Sequence, residues 1–223
     1  MSLKIAALAA SCLLAPQIAS AQVTPTWAEA PSAADVAAVY PAKAKAAGIG
    51  GSVDMTCTVN RDGHLKTCFV LRETPGAYAF GTTARKLAAQ MRVNELNLHD
   101  QEVMVPVTFN PDVLKPGGVA ITKPAWAAMP APSDFQATFP KTENGVNSVR
   151  VVLACTVEAG GALGGCAVDS ETPAGQGYGQ GALALASKFR VGPWSQDGQP
   201  TVGAKLKLPI RYELTQVAQG AKP

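Results

Sequence analysis

The chain has 223 residues, 47% of them hydrophobic and only 16% charged, with a net charge of +3. A packed core is within reach, and wholesale disorder is excluded. The weak charge without a Lys/Arg run argues against a nucleic-acid binder, and no apolar run reaches the ~18 residues of a transmembrane helix.

Residues 1–21 read as a secretory signal peptide. Lys4 supplies the positive start, Ile5 to Ala15 the apolar run, and Ala19-Ser20-Ala21 a small-x-small cleavage site before Gln22. Cys12 loosely imitates a lipoprotein box, but Leu13 and Leu14 continue the apolar run past it. Cleavage leaves Cys57, Cys68, Cys155 and Cys166, an even set suited to an oxidising compartment.

The rest of the chain is one unit written twice. Cys57 and Cys68 recur as Cys155 and Cys166, an offset of 98. At that offset Glu73-Thr74-Pro75 matches Glu171-Thr172-Pro173, and Arg92-Val93 matches Arg190-Val191. Upstream the offset is 99, pairing Trp27 with Trp126 and Tyr40-Pro41 with Phe139-Pro140. Downstream it is 103, pairing Val105-Pro106-Val107 with Leu208-Pro209-Ile210. Such indels belong in loops, so the unit is a domain and not a solenoid turn. We place the copies at 27–110 and 126–215, joined by a Pro/Gly-rich linker at 111–125.

The elements follow in order within each copy. A short helix is expected over Ala33–Ala47. Val53, Met55, Cys57 and Val59 then alternate with polar residues, which predicts a half-buried strand; Val151, Leu153, Cys155 and Val157 repeat it. Asp62-Gly63 and Gly160-Gly161 suit a tight hairpin. A two-residue turn sets Cys57 opposite Cys68 and Cys155 opposite Cys166; a three-residue turn with a bulge shifts the register by one. A helix carries the stripe Phe80, Ala84, Leu87 and Met91, repeated as Tyr178, Ala182, Leu185 and Phe189. A last strand follows, with Val103, Val105, Val107 and Phe109 on one face, or Leu206, Leu208, Ile210 and Tyr212. Its mid-strand proline marks it as an edge or as carrying a bulge. The fold class is α+β: two tandem small domains, each (α)ββαβ, with a three-stranded antiparallel sheet packed on a helix. Phe69 and Leu71 project from the hairpin's outward face, which suggests a cover, the second copy being one candidate.

The residues offer little catalytic chemistry. The cysteine spacing favours two structural disulfides, 57–68 and 155–166, over a C-x-x-C redox pair or a four-thiolate zinc site. His64 and His99 sit in loops without counterparts in the other copy. Glu73 and Glu171 are better placed for capping than for acid–base work. No nucleophile elbow, HExxH or phosphate loop occurs, and neither a cofactor nor a metal is expected.

The order Tyr40-Pro41, Gly48-x-Gly50, strand, Asp62-Gly63, strand, Thr74-Pro75, helix Phe80–Met91 and strand Val103–Phe109 resembles the C-terminal domain of TonB, the energy transducer of outer-membrane receptors. The resemblance covers nearly the whole mature chain, twice. It implies a periplasmic, non-enzymatic module that adds an extended peptide to its sheet along the last strand. The implied partner is a segment of an envelope protein such as a TonB-dependent receptor. The implied peptide-binding edge comprises Val103, Val105 and Val107 in the first copy and Lys205, Lys207 and Arg211 in the second. The basic residues there favour an acidic segment. TonB's uncleaved anchor and its long Pro/Lys/Glu spacer have no counterpart in this sequence, which separates the binding fold from energy transduction. The alternative is a structural or scaffolding envelope protein.

Overall fold

The computed structural model describes residues 25–138 and 148–213; the signal segment and Phe139-Pro140 lie outside them. Two hydrophobic clusters organise the molecule, one in each half.

In the first half, β1 (Trp27–Glu29) pairs antiparallel with β4 (Arg92–Val93). The expected single helix is two, α1 (Ala33–Val39) and α2 (Ala42–Ala47). The break falls at Tyr40, because the residue before a proline is driven out of the helical region. Ser32 caps α1 through a reciprocal box with Asp35, whose carboxyl the Ser32 hydroxyl and amide hold below its ordinary range. Gly48 closes α2 at φ 64°, the left-handed region a glycine enters freely. The Tyr40 ring meets Phe80 and Phe109 edge-on, and its hydroxyl donates to the Ile49 carbonyl at 2.9 Å. Burial pushes that hydroxyl's pKa up.

β2 (Gly51–Val59) is central in a three-stranded sheet, between β3 (Leu65–Thr74) and β5 (Glu102–Phe109). Val53, Met55, Cys57 and Val59 are buried, as their alternation predicts. They meet α3 (Phe80–Ala88), where Phe80, Ala84 and Leu87 are buried; Met91 completes the stripe just beyond the helix. Glu73 accepts the Phe80 amide at 2.8 Å and so caps α3.

The hairpin differs from a two-residue turn. Asn60 N–H donates to the His64 carbonyl, leaving Arg61, Asp62 and Gly63 as the loop. That register pairs Val59 with Leu65 and Thr58 with Lys66. A bulge follows at Thr67, φ 47°, after which Cys57 faces Cys68 and the disulfide forms at a Cα separation of 4.1 Å. The second half repeats the device with Gly165 at φ 56° and a 155–166 disulfide, also at 4.1 Å. The longer loop and the bulge offset each other, so the cysteines meet where a shorter turn would also have put them.

After β5, residues Pro111–Leu114 form a 3-10 turn, with Val113 and Leu114 packed on the first cluster. The segment then supplies β6 (Ala120–Ile121) and β7 (Trp126–Ala128). The expected linker is therefore folded against both halves.

The second half contains α4 (Pro132–Ala137), β8 (Ser148–Val157), β9 (Leu163–Thr172), α5 (Tyr178–Ala186), β10 (Arg190–Val191) and β11 (Lys205–Glu213). β10 pairs with β7 as β4 does with β1. Glu171 accepts the Tyr178 amide at 2.9 Å, the counterpart of the Glu73 cap. The three antiparallel strands lie in the order β11-β8-β9, and β6 adds a fourth, parallel to the start of β11. Tertiary docking of the linker, anchored by buried Val119 and Ile121, produces that extra strand. Phe69 and Leu71 remain 59% and 58% exposed, so the second half does not cover that face.

Candidate functional site

The outer edges of β5 and β11 are where an added strand would bond. In an antiparallel strand, alternate residues turn both backbone groups to the same neighbour. Thr108 N–H points away from β2, since it donates to the Gly198 carbonyl at 2.7 Å. The outward backbone groups of β5 therefore belong to Glu102, Met104, Pro106 and Thr108. Val103, Val105 and Val107 turn theirs to β2 and bury their side chains in the core. In β11 the Lys205 N–H donates outward to the Val119 carbonyl at 2.7 Å, so Lys205, Lys207, Pro209 and Arg211 hold the outer edge. The predicted residues of the two copies thus sit in opposite phases of the pleat.

The two edges differ in occupancy. Along β5, a loop of the second half closes the strand's end. Trp194 Nε1 donates to the Pro106 carbonyl at 3.1 Å, and Thr108 Oγ1 donates to the Asp197 carbonyl at 2.6 Å. Asn110 Nδ2 donates to Gln199 Oε1 at 3.2 Å. Along β11, β6 covers only Lys205 and Leu206. From Leu208 to Glu213 the outer edge has no strand partner among the described residues. The parallel pairing of Leu206 with Ile121 directs the Lys207 N–H to the Ile121 carbonyl, so the outward N–H donors that remain are those of Arg211 and Glu213, with Pro209 before them donating nothing.

Charge accumulates on the sheet face beside this open edge. Lys205, Lys207 and Arg211 are exposed there, and Arg211 lies directly opposite Arg150 of β8. Lys207 pairs with Asp169 and Arg211 with Glu213, each at 3.0 Å, but Lys205 and Arg150 have no acidic partner among the described residues. Such exposed pairs are weak, so the face keeps its basic character. At the end of β11 a cavity of about 340 Å³ opens beside Arg211, lined by Pro130, Pro132, Phe135 and Tyr212. The four described cysteines are held in disulfides, and no described cluster of His, Cys, Asp and Glu groups a metal-binding set.

Residues 36–111 match the family model described as the Gram-negative bacterial TonB protein C-terminal. The first half of the chain is thus similar to a TonB C-terminal domain. A stretch of 63 residues is also 33% identical to an uncharacterized protein of Caulobacter vibrioides. That stretch covers 28% of this chain and 63% of the relative's length.

The residues matched to the TonB C-terminal family run from α1 through β5, so the matched half is the one whose last strand is capped. Trp194 and Gly198, which carry the cap, were not apparent as functional residues in the sequence. One signal pointed to them. The repeat offset grows from 98 at Val93/Val191 to 103 at Pro106/Pro209, and these five extra residues fall in the capping loop. Arg150 was hidden too, because only the β8–β11 register sets it against Arg211.

Proposed function

We propose that the protein is a periplasmic, non-enzymatic binding module of two TonB C-terminal-like domains, 27–110 and 126–215, joined at 111–125, and exported by residues 1–21. Its ligand is an extended segment of an envelope protein, such as an outer-membrane receptor, added as a strand along Leu208–Glu213 of β11. The observation that carries this reading is the contrast between the strands: β5 is capped at Pro106 and Thr108, while β11 from Pro209 on has no strand partner among the described residues and keeps outward donors at Arg211 and Glu213. Backbone pairing supplies affinity in this binding mode, and the side chains beside it supply selectivity. Lys205, Lys207, Arg150 and Arg211 favour an acidic segment.

The test compares Arg211→Pro with Arg211→Ala, which loses the same charge but keeps the N–H, first in capture from envelope extract and then in titration of the captured segment. Proline removes the Arg211 donor from the outer edge without taking a bond from β8. Lost binding in the proline variant, with the circular dichroism spectrum intact, is the expected result. Unchanged affinity rejects strand addition and leaves the scaffolding role.

A further inference from the structure

The loop that caps β5 is built as a ligand for the first half. The Trp194 side chain is 1% exposed and belongs to the first half's hydrophobic cluster, although its chain position is in the second. Gly198, four residues on, has φ 79°, and a Cβ there would lie 2.5 Å from the Pro106 carbonyl oxygen. Glycine is thus required for the turn and again for the close approach.

The turn also holds itself in shape. Ser195 Oγ donates to Asp197 Oδ1 at 2.6 Å and accepts the Gln199 amide at 2.8 Å; Gln199 Nε2 donates to Asp197 Oδ2 at 3.0 Å. A segment ordered by its own bonds loses little freedom on docking, which is the gain from preorganisation. Its contact with β5 uses one backbone–backbone bond to Thr108, the Trp194–Pro106 bond and a buried indole, so the recognised feature is an aromatic anchor on a turn and not a ladder.

We propose that the first half carries a binding site for a Trp-x-x-x-Gly turn, and that residues 194–198 are its resident ligand. While the loop is docked, the Pro106–Thr108 end of the β5 edge is closed to any other segment. A competitor must bring an indole and a glycine carbonyl of its own. This site lies on β5 and does not depend on the β11 reading.

The experiment uses the full chain carrying Trp194→Ala and a labelled, end-blocked peptide of residues 193–201, PWSQDGQPT. The variant should bind this peptide at least tenfold more tightly than wild type does, and a peptide with alanine at the tryptophan position should not bind. A folded variant that binds neither peptide, or wild type that binds as well as the variant, overturns the proposal. Should the variant be unfolded, excess peptide should restore its circular dichroism spectrum, and failure to do so counts equally against the site. Hydrogen exchange gives an independent check. The Thr108 amide should be protected in wild type and exchange at least tenfold faster in Gly198→Ala, with the Val105 amide unchanged. An unprotected Thr108 amide in wild type also overturns the proposal.

Discussion

Pro106 and Pro209 hold the same place in the two copies, mid-way along the outer edge of the last strand, yet among the described residues only Pro106 has its carbonyl taken, by the indole of Trp194 at 3.1 Å. Both prolines sit where a missing N–H costs no bond within the sheet. The difference comes from the five residues inserted before β11, which have no counterpart before β5. The duplicated units are therefore not equivalent, since one copy's insertion closes the end of the other's edge.

Trp194 should be among the most sensitive positions for stability. Its removal empties a buried site between the halves, and Trp194→Ala should cost about 3–5 kcal/mol. Trp194→Phe keeps much of the packing but leaves the Pro106 carbonyl without its donor, so it should cost less than alanine but more than about 1 kcal/mol. Denaturant unfolding with the disulfides intact measures both. A loss below about 1 kcal/mol for alanine contradicts the docking described here.

The paired bulges give a second prediction, on the link between sequence and backbone. Thr67 and Gly165 are equivalent, with φ 47° and 56°. The left-handed region costs a non-glycine residue about 1–2 kcal/mol, and glycine's extra unfolded freedom returns about 0.5–1 kcal/mol of that. Thr67 is exposed, so its side chain contributes little packing. Thr67→Gly should therefore raise stability by about 0.5–1 kcal/mol, and Gly165→Thr should lower it by a similar amount. Equal unfolding midpoints for wild type and Thr67→Gly would count against the assignment.

These bulges also mark where sequence reading reached its limit. Alternation exposed β2 and β8 because each buries a single face, and the period of two survives in the residues. Phe80, Ala84 and Leu87 were legible for the corresponding reason at helical spacing. The capping roles of Glu73 and Glu171 followed from duplication, since a pair repeated just ahead of two helices points to local geometry. Asp62-Gly63, however, fits both a two-residue and a three-residue turn, and no propensity reports the compensating bulge at Thr67. β6 and the Trp194 loop escaped because tertiary contact holds them in place. Ala120–Ile121 is too short to show a period, and the loop's partner lies in the other half of the chain.

The last prediction concerns Arg150, where stability and binding should move in opposite directions. Arg150 and Arg211 are direct cross-strand partners on the open face of the second sheet. Like charges placed opposite each other across a strand pair are destabilising by roughly 0.2–1 kcal/mol. Glu213 answers Arg211 at 3.0 Å, but no described acid answers Arg150. Arg150→Gln should therefore raise stability by a few tenths of a kcal/mol at low salt, where surface charges are least screened. An acidic segment laid along β11 would meet both guanidinium groups, so the same substitution should weaken its binding several-fold. Raising salt from about 0.05 M to about 0.5 M should weaken wild-type binding and shrink the gap between wild type and variant, because the screening length falls from more than 10 Å to a few ångströms. Unfolding curves and titrations of an acidic segment at both salt levels measure the two effects. If Arg150→Gln loses stability, or binds the acidic segment as tightly as wild type at low salt, then the Arg150–Arg211 pair is not the selectivity element of the β11 edge.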